Sequence, residues 1–352
     1  MLRSLSCFIF SILFSVSSYA NTAFRQLNIN EAGSRSLDIA IWYPTDETGS
    51  PETVGDNIVF YGTSVLRNAA PQEGEHPLLL LSHGYGGNWR NLNWLAKEMA
   101  VQGYIVAAVD HPGTTTFNKL PQDAKQLWRR PQDLQRAMVK IITTPSLAGK
   151  VDAQRIAAVG HSLGGWTVLK LAGARFDTAR FQNDCLAHAR LSACQLIQAL
   201  GIDEAAGQLG ADEAEAKIKA VVSLDLGLAR GFTPESLSQI AVPVMIMTPQ
   251  TDSDELPTAL ESGYLAEYIP ADIKRVGSVE GATHFSFMQQ CKPGARELIA
   301  EQEPGEEIVC QDGGTRSRAA IHRQLARDIS SFLNQALDFQ PLPGGNQSGS
   351  YR

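Results

Sequence analysis

The chain has 352 residues, 43% of them hydrophobic, which is enough core material for one large α/β domain or two small ones, with one preferred if the sheet is continuous. Its formal net charge is −7 and it holds no Lys/Arg run. Nucleic acid and an anionic membrane surface are therefore poor partners for it.

The N-terminus reads as an export signal. Arg3 gives a positive start, Leu5 to Val16 is a short apolar run, and Ser18-Tyr19-Ala20 fits a small-x-small cleavage site before Asn21. The run is short for a hydrocarbon layer of about 30 Å, so no stable membrane insertion is expected after cleavage near Ala20. The mature protein is then secreted or periplasmic. Of the five cysteines, Cys7 leaves with the signal, and Cys185, Cys194, Cys291 and Cys310 remain. Four allow three pairings, of which local closure favours Cys185–Cys194 and Cys291–Cys310. An oxidising compartment permits both.

Arg35 to Pro44 reads as an early strand. Thr45 to His76 is rich in Gly, Pro, Asn and acidic residues and reads mainly as loop. Pro77 to Ser82 (PLLLLS) and Tyr104 to Asp110 (YIVAAVD) are apolar runs of the kind buried on both faces of a sheet, with helical segments at Trp89–Val101 and Arg130–Ile142. Arg155 to Val159, Lys219 to Asp225, Val242 to Thr248 and Ile273 to Val279 continue the strands, and Ala319 to Leu337 closes as a helix. The alternation predicts an α/β fold, a mainly parallel central sheet with helices on both faces. An Ala-rich, helix-prone insertion at 175–217 interrupts the rhythm, as a lid or as a peripheral insertion. A Gly/Ser-rich tail runs from Pro341 to Arg352.

The chemistry centres on Gly160-His161-Ser162-Leu163-Gly164. This G-x-S-x-G follows an apolar strand and precedes a helix-compatible segment, as a nucleophile elbow requires. Ser162 is the candidate nucleophile. His284, in Gly281-Ala282-Thr283-His284-Phe285 just after the last strand, is the candidate base, and it is chosen from seven histidines. His161 sits within the elbow and cannot fold back onto its neighbour's hydroxyl. His83 is read as shaping the oxyanion loop, and His76, His111, His188 and His322 as solvated or structural. Two carboxylates compete to orient His284: Asp252 after one strand and Asp225 at the end of the preceding one, with Asp252 preferred and Asp254 a distant third. The oxyanion donors are expected to be the Leu163 amide and an amide of Ser82-His83-Gly84-Tyr85-Gly86-Gly87, with Tyr85 first among them. Tyr85, Trp89, Trp166 and Phe285 are candidate pocket walls. No metal or cofactor is called for, because no C-x-x-C or nearby His pair supports a metal site.

The blocks LLLLSHGYGG, GYIVAAVDHPG, RIAAVGHSLGG, KAVVSLD and GATHFSF resemble the α/β-hydrolase superfamily, in particular bacterial dienelactone-hydrolase-like proteins and platelet-activating-factor acetylhydrolase. The resemblance runs from about Pro77 to Phe287, with a gap at the insertion. It implies a cofactor-free serine hydrolase of carboxylic esters, with short-chain acyl or lipid-like substrates. The acetylhydrolase pattern points to Asp225 as the acid, and the cutinase-like pattern to Asp252. True dienelactone hydrolases use a Cys where Ser162 stands, which counts against dienelactone cleavage. Other acyl hydrolysis or acyl transfer, on thioesters, polyesters or amides, uses the same machinery. A non-catalytic binding protein on this fold is the contrasting alternative.

Overall fold

A computed structural model describes residues 21–341. The predicted export signal and residues 342–352 of the predicted tail lie outside the described residues. The strands are β1 (Asn21–Ile29), β2 (Leu37–Thr45), β3 (Glu52–Val54), β4 (Thr63–Arg67), β5 (Glu75–Ser82), β6 (Ile105–Asp110), β7 (Lys150–His161), β8 (Ile218–Leu224), β9 (Val244–Pro249) and β10 (Lys274–Val279). They form one sheet in the order β10-β9-β8-β7-β5-β6-β2-β1-β4-β3. From β10 to β6 every neighbouring pair is parallel. β2 then adds antiparallel to β6, and β1 antiparallel to β2.

The helices are α1 (Asn93–Val101), α2 (Pro121–Ala124), α3 (Arg129–Thr143), α4 (Leu163–Leu171), α5 (Thr178–Ala187), α6 (Ser192–Gln195), α7 (Ala206–Gly210), α8 (Pro234–Ser238), α9 (Ser262–Tyr268), α10 (Ala295–Gln302) and α11 (Arg318–Ala336). Side chains alternate across a strand, so β5 feeds two cores. Leu78 and Leu80 join the core with α3 and α4, and Leu79 and Leu81 join the one with α1 and α11. The buried positions Leu134, Ala137, Met138 and Ile141 of α3 fall at i, i+3, i+4 and i+7, the stripe of a helix lying on a sheet.

The expected fold class is therefore observed. β1, β3 and β4 were absent from the sequence reading. β3, at the sheet edge, and β4, between β1 and β3, are short strands inside the segment read as loop, and β1 mixes buried with exposed residues. Helical residues do occupy the 175–217 insertion as α5, α6 and α7. Both disulfides form as local closure predicted, Cys185–Cys194 within the insertion and Cys291–Cys310 after the His284 turn. No described helix is long and apolar enough to cross a membrane.

Candidate active site

The carboxyl ends of β5, β6, β7, β8 and β9 share one edge, where parallel sheets bind ligands. β7 delivers Ser162 there at φ 55 and ψ −122, before α4 begins at Leu163. This is a left-handed backbone on a non-glycine residue, which costs about 1–3 kcal/mol and persists only where the surroundings enforce it. The flanking glycines are part of that enforcement. A Cβ on Gly160 would lie 1.9 Å from the Gly164 oxygen, and one on Gly164 would lie 1.9 Å from the Ser82 oxygen. The Ser162 amide donates to the Leu224 carbonyl (3.0 Å), and its carbonyl accepts from Gly165 N–H (2.8 Å).

His284 opens a one-turn 3-10 helix, His284–Phe287, capped reciprocally by Thr283 and Ser286. Its Nδ1 lies 2.6 Å from Asp225 Oδ2. Asp225 is 1% exposed, has φ 44, and donates its amide to the Met247 carbonyl (2.9 Å). Asp252, the preferred acid in the sequence reading, is exposed instead. Its Oδ1 accepts from the amides of Ser253 (3.0 Å) and Thr258 (2.7 Å). The geometry thus pairs His284 with Asp225 and not with Asp252, contrary to the preference drawn from the sequence. The chain leaving β9 is tied to the exit of β10 through Gln250 N–H to the Val279 carbonyl and Thr251 N–H to the Ala282 carbonyl. Asp252 consequently caps its own loop.

His161 holds the candidate base His284 from behind. Its Nε2 is 2.9 Å from the His284 carbonyl, and the two rings stand 4.6 Å apart. Burial, reinforced by the neighbouring His284, pushes the His161 imidazole well below its ordinary pKa. A neutral ring then donates Nε2–H to that carbonyl. The sequence reading excluded His161 as base but missed this role, for which a residue buried inside an elbow gives no local sign.

The loop after β5 abuts Ser162, since a Cβ on Gly84 would lie 3.0 Å from Ser162 Cβ. His83 Nδ1 is 2.7 Å from the Gly84 carbonyl, and its Nε2 accepts from the His111 amide (3.0 Å). Gly86, at φ 71, donates to the Thr114 carbonyl (2.9 Å). The Tyr85 amide has no acceptor among the described residues. The Leu163 amide opens α4, where N–H groups have no intrahelical partner.

Two of the four expected wall residues are core. Trp166 is fully buried against Phe176 and Phe232, and Trp89 packs on Phe24 and Trp42. Phe285 stands edge-on to His284 with ring centres 5.1 Å apart, and Tyr85 is exposed. His76, His111 and His322 are buried and hydrogen-bonded. Among the described residues, Asp184, Cys185 and Cys194 bring potential metal ligands together, but the two sulfurs are bonded to each other and offer no thiolate.

In structure the chain is similar to a ferulic acid esterase from Streptomyces cinnamoneus, with TM-score 0.62 and 20% identity over 96% of this chain and 95% of that one. This overlap and the sheet order define the class: the chain has the α/β-hydrolase fold. Within that class, residues 44–180 match a family model described as PET hydrolase-like. The sequence is similar to Cutinase est1 of Thermobifida alba, 33% identical over 101 residues, which make up 28% of this chain and 31% of that protein. It is also similar to platelet-activating factor acetylhydrolase of Gallus gallus, 30% identical over 29% of this chain and 37% of that protein. The chain thus spans about a third of the length of these curated relatives. The expected resemblance to serine esterases of this fold is borne out.

Proposed function

We propose that the protein is a serine hydrolase of carboxylic esters. The observation that carries this reading is the 2.6 Å contact between His284 Nδ1 and Asp225 Oδ2 at the sheet edge where Ser162 stands on a strained elbow. Asp225 fixes the imidazole with Nδ1 protonated, which leaves Nε2 as the base. His284 takes the Ser162 proton as Oγ attacks the ester carbonyl, and the Leu163 and Tyr85 amides receive the developing oxyanion. Collapse releases the alcohol with the proton from His284. Water, activated by the same base, then frees the acid and restores Ser162.

The names of the relatives support ester substrates, and short acyl or lipid-like esters are the first choice. The match of residues 44–180 to a PET hydrolase-like model favours polyester as a second reading. A secreted or periplasmic site of action accords with the two disulfides. The helical insertion is tethered to the far end of α4, where Lys170 donates Nζ–H to the Leu209 and Ala211 carbonyls at the end of α7 (2.9 and 2.7 Å).

The test is hydrolysis of p-nitrophenyl esters from acetate to palmitate by the mature protein and by Ser162→Ala. The reading predicts turnover that is lost by at least about three orders of magnitude in the variant, with a chain-length profile that narrows the substrate. Equal rates for the two proteins would reject it.

A further inference from the structure

Beneath the loop after β5 lies a buried polar cluster that takes no part in the chemistry above. Ser82 Oγ is 2.9 Å from His111 Nε2, and His111 Nδ1 is 2.9 Å from Asp133 Oδ2. These are the pairings of a Ser–His–Asp triad, yet none of the three is more than 1% exposed, so no substrate reaches them. The group that organises this cluster is Arg130 of α3, itself 1% exposed.

The Arg130 guanidinium makes four kinds of contact. Nη2 donates to the His83 carbonyl and to Ser82 Oγ (3.2 Å), Nη1 to Thr114 Oγ1 (2.5 Å), and Nε to Thr167 Oγ1 (2.9 Å). The Thr167 hydroxyl in turn donates a hydrogen bond to the Leu163 carbonyl (2.9 Å). The Thr114 carbonyl accepts from Gly86. One rigid fork therefore grips the peptide just before Gly84-Tyr85 and, through one hydroxyl, the first turn of α4. Arg35 pairs with Asp133, and the Arg136 guanidinium lies 3.9 Å from that carboxylate. Burial lowers Arg130 to about 9, so it keeps its charge at neutral pH.

We propose that Arg130 is a positioning residue that sets the spacing of the Tyr85 and Leu163 amides by joining the two segments that carry them. The inference rests on the oxyanion role given to those amides above. Small displacements of such donors lower turnover without loosening ground-state binding, because the charge they meet exists only in the transition state.

Thr167→Val keeps the side-chain shape and removes the relay, whereas Thr167→Ser keeps the hydroxyl. The full mature chain and these two variants, with Arg130→Lys, are compared for kcat and KM on p-nitrophenyl butyrate, Ki of a trifluoromethyl ketone, and Tm. Thr167→Val is expected to lower kcat about 10-fold with KM within about twofold, and to weaken the ketone in parallel with kcat/KM. Thr167→Ser is expected to recover most of that loss. Arg130→Lys, whose single ammonium cannot span both segments, is expected to lose about 10- to 100-fold. If Arg130→Lys does not fold, the Thr167 pair decides. A folded Thr167→Val with kcat within about twofold of the parent, or with a lowered Tm alone, overturns the inference. A parent protein without Ser162-dependent turnover overturns the esterase reading first, and this one with it.

Discussion

Asp225 and Asp252 follow neighbouring strands, and their separation in the sequence tells little about which one meets His284. The difference lies in how each leaves its strand. Asp225 turns at once, at φ 44, and its carboxylate stays buried with Oδ2 on His284. Asp252 comes after two residues tied to the exit of β10, and its carboxylate serves loop amides. Asp225→Asn should therefore lower kcat on p-nitrophenyl butyrate by about three to four orders of magnitude, because the amide favours the wrong imidazole tautomer. Asp252→Asn should stay within about threefold. Steady-state kinetics on both folded variants checks this, and the reverse ranking would restore Asp252. Ser162 and His284 stand out as candidates in the sequence because each sits in a short motif after an apolar strand. Which carboxylate faces His284 is not legible in the sequence, since it depends on a backbone torsion.

At the scale of elements, α11 and α1 meet through His322 and Trp94, stacked with ring centres 3.9 Å apart. His322 Nε2 also reaches the Ser286 carbonyl (3.1 Å), on the turn that begins with His284. Burial pushes this imidazole down to about 3. The folded protein thus keeps it neutral while the unfolded chain protonates it below about pH 6.5. The stability it contributes is full above pH 6.5 and is lost as pH falls toward 3. His322→Gln retains an N–H donor and removes the titration. Urea denaturation at pH 6 and pH 4 should show the parent losing about 1.4 kcal/mol per pH unit more than the variant. Parallel losses would contradict the assignment. Elements buried on both faces, β5, β6, β8 and β9, were readable as apolar runs. β4 and α10 are short and bury too few residues to print a period on the sequence.

Across the whole molecule, the sheet gathers residues far apart in the chain. Ser162 comes from the end of β7, Asp225 from the end of β8, His284 from beyond β10, and the Gly84-Tyr85 loop from beyond β5. The parallel order was predictable from alternating apolar strands and helices, and it puts these strand ends on one edge. The Arg130 web was not predictable, since His83, Thr114, Arg130 and Thr167 share no spacing and meet only when α3 and α4 pack together on one face. The −7 charge is spread without a dominant patch in the sequence and says little about the site. The central claim is an activated Ser162, and it can be tested without knowing the substrate. The folded mature chain is exposed to diethyl p-nitrophenyl phosphate, then analysed by intact mass and peptide mapping. The predicted result is release of p-nitrophenol and a single diethylphosphoryl group on Ser162, absent when His284 is replaced by Ala. A chain that stays unmodified, or carries the group on another residue, would contradict it.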